Sequence, residues 1–194
     1  LLCLKAAKTG GLSSIVSSVS IFNEMFKHRP DLAKVLFEPI ETDRRGEVPP
    51  GKKGYYRMPI FNWFQGKLST LYTRRYIESA RRFPEVPPLT EPQEQALNMF
   101  DELANDTSLN LQMEFVPGDI QILHNHQILH DRTDFEDWPE EEKKRHLLRL
   151  WVVSPKGRAL PPVFAERYGS VEIGSPDRGG IRVVGQNLTA PLLP

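Results

Sequence analysis

The stretch "VPGDIQILHNHQILHDRTDFEDWPEEEKKRHLLRLWV", residues 116–152, holds His124, His126, His130 and His146 and two well-placed arginines. A Pro-Gly-Asp turn leads into an apolar run, an Asn, then further apolar residues ending in His-x-Arg. If residues 122–130 formed one strand, His124, His126 and His130 would share a face. Such a face could bind a metal. The competing reading makes one or two of these histidines buried, neutral and hydrogen-bonded, a common fate of His in interiors. Fifteen positions after His130 stands Arg145, in "KRHLLRLW", and Arg149 follows four later. In a strand these two arginines have the same parity and face the same side. Their neighbours Leu147, Leu148, Leu150 and Trp151 are apolar, so "HLLRLWVV" reads as a buried strand. An inward arginine there needs an anion, because an unpaired buried charge is costly. Guanidinium takes a carboxylate through two parallel hydrogen bonds. A protein Asp or Glu could serve as well, and 25 acidic residues keep that open.

Working outward, "LLCLKAA" at the start reads as a buried strand, and "KTGGLSS" as a turn with Ser13 or Ser14 placed to cap a helix. Ile15, Val19, Phe22 and Phe26 recur at helical spacing. "HRPDLAKVLFEP" gives a second short helix, with Pro30 in its first turn and Pro39 past its end. "YYRMPIFNWF", "QGK" and "LSTLYTRRYI" together read as a β-hairpin. Tyr72, Arg74 and Arg75 are candidates to line a pocket or to form a solvated face, and Arg81–Arg82 reads as surface. Thr90 and Gln93 form a capping-box pattern ahead of a helix reaching about Ala104, with Ala96, Leu97, Phe100 and Leu103 on its apolar face. Leu109, Leu111, Met113 and Phe115 alternate as in a strand, and a second strand follows the Pro-Gly-Asp turn. The tail from Ser154 is loop-rich. Strands outnumber helices, which suggests a mainly β sandwich or jelly roll with flanking helices.

The chain has 194 residues, enough for one domain with a sizeable core. Lys+Arg and Asp+Glu balance at 25 each, so charge offers no case for nucleic acid or an anionic membrane as main partner. No apolar run approaches the roughly 20 residues that span a bilayer. No signal peptide opens the chain, and a cytoplasmic location is expected. The single cysteine, Cys3, excludes an internal disulfide and a multi-Cys zinc site, and its apolar setting reads as a buried, inert thiol. Sequons at Asn105 and Asn187 read as chance triplets. The chain opens at Leu1 within an apparent strand, so it is expected to be a fragment lacking its natural N-terminal part.

Residues 116–152 resemble the C-terminal half of the taurine dioxygenase-like (TauD/TfdA) family of Fe(II)/2-oxoglutarate oxygenases. "KTGGLSS" looks like the family's Gly-Gly-x-Thr/Ser turn, and the order of elements between also fits. The resemblance implies one oxygenase domain over residues 1–194, a double-stranded β-helix (jelly roll) incomplete at its N-terminus. It implies that His130 is the distal histidine of a 2-His-1-carboxylate iron triad. It places Arg145 on the far carboxylate of 2-oxoglutarate, helped by the Ser13 hydroxyl. Arg149 would face the substrate or brace the cosubstrate, and Asn125 would be structural. His124 and His126 fall outside the triad, and His146 should point out of the pocket. Fe(II) and 2-oxoglutarate are the implied cofactor and cosubstrate, with a small-molecule substrate and O2 as partners.

The triad's other ligands come as His-x-Asp or His-x-Glu, and none of the five histidines has an acid two residues on. In the family that motif precedes the Gly-Gly turn, which would put it ahead of Leu1. The chain alone is therefore expected to bind Fe(II) poorly and not to turn over. Two other classes remain in view. One is a non-catalytic cupin-like metal-binding module using His124, His126 and His130. The other is a pseudoenzyme that has lost its metal site and binds partners through its proline-rich loops.

Overall fold

The computed structural model describes residues 1–175 and 177–179. The sequon at Asn187 lies outside them. Among the described residues there are eleven strands and five α-helices. The strands are β1 (Leu2–Lys5), β2 (Thr9–Gly10), β3 (Ser13–Ser17), β4 (Ile40–Asp43), β5 (Tyr55–Met58), β6 (Phe61–Phe64), β7 (Lys67–Thr70), β8 (Asn110–Met113), β9 (Ile128–Arg132), β10 (Phe135–Glu136) and β11 (His146–Leu148). The helices are α1 (Ser18–His28), α2 (Pro30–Val35), α3 (Arg74–Ser79), α4 (Glu91–Asn105) and α5 (Ala165–Tyr168). No helix among them is long and apolar enough to cross a membrane.

Helices α1, α2 and α4 pack against one another, while α5 lies with β5 in a second, smaller cluster. Ile21, Met25, Leu32, Ala33, Leu36, Ala96, Leu97 and Phe100 meet Ile60, Phe61 and Leu68 in one buried cluster. Aromatic rings lock it: Phe61 lies 5.4 Å from Phe22 and 5.7 Å from Phe100, and Tyr72 lies 4.3 Å from Phe100. The capping box forms as the sequence predicts. The Gln93 N–H donates to Thr90 Oγ1 and the Thr90 N–H donates to Gln93 Oε1. Ala96, Leu97 and Phe100 are the buried face of α4.

Several expectations about elements are corrected. Residues 13–17 form a strand, not a helix start, and the cap is Ser17, whose hydroxyl accepts from the Ser20 N–H. β-Branched Ile15 and Val16 suit a strand held between two neighbours. The buried face of α1 is accordingly Ser18, Ile21 and Met25, while Phe26 is 61% exposed. The hairpin is β6–β7, turning at Gln65–Gly66, but residues 74–79 are helical. There Arg74 bonds Glu78 four residues on, a pairing that only a helix provides.

The strands form small antiparallel sheets: β8–β3–β9, β1–β11, β2–β10, β4–β5 and β6–β7. The stretch after the Pro-Gly-Asp turn docks on β1 instead of forming a strand of its own. The Cys3 N–H donates to the Asp119 carbonyl at 2.9 Å and the Gln121 N–H to the Leu1 carbonyl at 2.9 Å. The predicted buried strand "HLLRLWVV" is a strand only over His146–Leu148. Leu150 and Val152 are 82% and 85% exposed, because no second layer among the described residues covers them. Cys3 is buried, as expected, and burial pushes its thiol pKa up.

Candidate active site

Strand β3 sits between β8 and β9, and its register sets the site. Ser13 lies opposite Arg132 and Ile15 opposite His130. Directly opposed residues of an antiparallel pair share a face, so Ser13, His130 and Arg132 fall on one side. Antiparallel β1 and β11 bring Arg145, Leu147 and Arg149 to the same place, with Cys3 opposite Leu147. The result is an open cavity of about 570 Å³ bordered by Ser13, His130, Asp131, Arg132, Arg145 and Arg149, with Leu1, Phe115 and Leu147. His130, Arg145, Ser13 and Arg149, singled out in the sequence, thus line one cavity. His146, expected to point away, also borders it. The pairing is bulged between Cys3 and Lys5, which spoils strict alternation beside it.

The wall is cationic and largely unneutralised. Among the described residues, Arg132, Arg145 and Arg149 form no ion pair with any carboxylate. The Arg132 guanidinium donates to the Thr133 carbonyl and lies over the Phe135 ring. Arg145 is held through its backbone, whose N–H donates to Asp137 Oδ1 at 2.7 Å. Burial, then the neighbouring Arg132 charge, lowers the Arg145 pKa. Burial, then the Arg149 charge, lowers the His130 pKa, so its imidazole is neutral near pH 7 and keeps a free lone pair.

Gln121 was not visible as a site residue in the sequence. Its Nε2 donates to the Ser13 hydroxyl at 3.0 Å, and Ser13 is only 4% exposed. Its place in "DIQIL", between two apolar residues, was the available signal: an inward polar side chain needs a partner. The pocket candidates in "LYTRRYI" lie elsewhere. Tyr72 donates to Asp101, and Arg74 pairs with Glu78 and Asp101. Arg82, expected to be plain surface, pairs with the buried Asp43.

The other histidines part from His130. A turn at residues 125–127 interrupts the segment, with the Ile128 N–H donating to the His124 carbonyl at 3.0 Å. His126 packs edge-on against Phe164 and Tyr168, at 5.6 and 6.0 Å. Burial first, then the His124, Arg178 and Arg158 charges, lower its pKa to about 4. It packs as a neutral histidine, as one of the two readings held, but its buried Nδ1 has no hydrogen-bond partner among the described residues, so the hydrogen-bonded part of that reading is not met. Among the described residues, no three His, Cys, Asp or Glu side chains gather in a way that could hold a metal ion. His130 fits a metal as one donor, and the rest of a ligand set is not supplied by these residues. The cavity's donor chemistry suits a diacid: the half-buried Arg145 and the exposed Arg132 and Arg149 have no carboxylate partner among the described residues.

Fold and cavity together bring three arginines beside the His130 imidazole on one strand-framed wall. The profile described as "Taurine catabolism dioxygenase TauD, TfdA family" matches residues 1–151, and the chain belongs to that family. It is 33% identical over 185 residues to the FR-33289 synthase of Streptomyces rubellomurinus, covering 91% of this chain and 53% of that one. It is 37% identical over 153 residues to a taurine hydroxylase-like protein of Stachybotrys chartarum, covering 77% and 38% respectively. The chain thus spans about half or less of these relatives' lengths. In fold it is similar to an asparagine oxygenase solved with Fe(II), 2S,3S-3-hydroxyasparagine and succinate, with a TM-score of 0.55 at 17% identity. That match covers 74% of this chain and 41% of the other.

Proposed function

We propose that this chain is the C-terminal part of an Fe(II)/2-oxoglutarate-dependent dioxygenase. The enzyme would hydroxylate a small molecule while 2-oxoglutarate is decarboxylated to succinate. The observation that carries the reading is the Arg145 guanidinium, free of any carboxylate among the described residues, on the cavity that His130 also lines. Family membership supports it. The domain is read as a double-stranded β-helix, with the remaining strands and the two other iron ligands supplied by residues outside this chain. The matched relatives' greater length and the exposed apolar residues Ile122, Leu150 and Val152 support that. A cytoplasmic setting, with Cys3 as a free thiol, belongs to the same proposal.

Fe(II), when bound, supplies the oxygen chemistry. The chain's own residues bind and orient. His130 offers a neutral nitrogen, which a metal ligand must have. Arg145 holds the far carboxylate of 2-oxoglutarate, and fixed geometry of that kind lowers the entropic part of a barrier. Ser13, held by Gln121, presents its hydroxyl beside that carboxylate. Arg149 braces the cosubstrate or receives the substrate.

The test is the full-length protein supplied with Fe(II), 2-oxoglutarate and O2. Succinate release abolished by both His130→Ala and Arg145→Ala is the expected result. Metal binding that survives His130→Ala but not His124→Ala would indicate the cupin-like module, which the turn at residues 125–127 disfavours. Neither metal binding nor turnover would indicate a pseudoenzyme. The 194-residue chain alone is expected to bind Fe(II) poorly and to release no succinate.

A further inference from the structure

We propose that Phe135 is a positioning residue that sets the plane of the Arg145 guanidinium, with Gly11 leaving the room for it. The inference rests on the reading of Arg145 as the grip for a diacid. A guanidinium that must receive an incoming carboxylate cannot be oriented by a protein carboxylate without losing its function. An aromatic face solves this, because it attracts the cation while leaving the N–H donors free. Arg145 Cζ lies 5.3 Å from the Phe135 ring centroid, and Arg132 Cζ lies 4.5 Å from the same centroid. One ring therefore holds two like-charged groups at the cavity wall.

The ring itself is fixed by the glycine turn. A Cβ on Gly11 would come within 3.3 Å of Arg145 Nε and 3.4 Å of Phe135 Cβ, and one on Gly10 within 2.3 Å of the Asp134 carbonyl. Both glycines have φ of +73°. Their lack of side chains lets β2 lie against β10, where the Gly11 N–H donates to the Asp134 carbonyl at 3.0 Å. The Leu12 N–H donates to Thr133 Oγ1, also at 3.0 Å. Phe135 belongs to neither hydrophobic cluster and is 37% exposed, so core packing does not account for it.

The experiment uses the full-length protein without added Fe(II), and succinate, a diacid without the 2-oxo group, so that binding does not depend on iron. Calorimetry compares the wild-type protein with Phe135→Leu, Phe135→Trp and Arg145→Gln. Leucine keeps an apolar side chain but removes the π face, and affinity should fall about tenfold. Tryptophan should keep affinity within about twofold, a rescue that a merely structural role would not give. Arg145→Gln should abolish binding. Wild-type affinity in Phe135→Leu, with binding lost in Arg145→Gln, overturns the role of Phe135 alone. Binding retained in Arg145→Gln overturns the reading of Arg145 and this inference with it. A second readout needs no variant: NMR of the wild-type protein should show Arg145 side-chain protons shifted upfield by the ring current of Phe135. Unshifted protons overturn the proposal.

Discussion

The helical side and the strand side of this chain are built on opposite terms. Around Phe61 and Phe100 apolar side chains are fully buried, rings interlock, and Tyr72 finds a carboxylate in Asp101. Around His130 and Arg145 the strands are short, cations face a cavity with no carboxylate partner among the described residues, and Ile122 is 89% exposed. The first region meets its own needs. The second leaves needs open, which is what a binding site does, at the expense of local stability. The difference teaches where to look for function: in the part of the molecule whose charges remain unanswered.

Four measurements break or sharpen that contrast. The largest effect belongs to the closed side. Phe100→Ala removes a fully buried ring in contact with Phe61 and Tyr72 and should cost about 3–5 kcal/mol in urea unfolding. A loss below about 1 kcal/mol would show that the cluster is not the stabilising core.

Next comes pH. The His126 pKa falls from 6.5 to about 4 in the folded chain, so between these values the unfolded state binds the extra proton. Stability then rises with pH across that window and falls as pH drops from 6.5 towards 4. The expected loss is on the order of 2–3 kcal/mol. His126→Gln should flatten the slope, as read by denaturation midpoints at pH 7, 6 and 5, and an unchanged slope would assign the titration elsewhere.

Thr90→Ala removes the acceptor for the Gln93 N–H and should cost about 1 kcal/mol, again by urea unfolding. The smallest effect is the most telling. Arg145→Gln breaks no ion pair among the described residues and relieves repulsion from Arg132, so stability should change by no more than about 0.5 kcal/mol. A large loss would mean that Arg145 has a structural partner after all.

Much of this contrast was legible in the residues. The capping box at Thr90 and Gln93 and the apolar face of α4 are local signals, and they fold as read. Arg145 and Arg149 both border the cavity, but so does His146 between them, so the alternation read from the sequence does not hold beside the bulge in β1. What failed depended on tertiary context. The spacing of Ile15, Val19, Phe22 and Phe26 resembles a helix face, yet β8 and β9 claim residues 13–17 as a central strand. The histidines of residues 122–130 look like one strand face until the turn at residues 125–127 sends His126 to Phe164, far along the chain. The Gln121–Ser13 bond joins residues 108 apart, and no periodicity encodes such a pair. "HLLRLWVV" reads as buried because apolar residues normally are, but burial requires a covering layer as well as an apolar sequence.

The most direct test of the central claim is a crystal structure of the chain soaked with 2-oxoglutarate. The account predicts one carboxylate of the diacid on the Arg145 guanidinium, at about 2.7–2.9 Å, with its other end directed towards His130. A diacid bound away from this cavity, or an Arg145 closed onto a protein carboxylate, would contradict it.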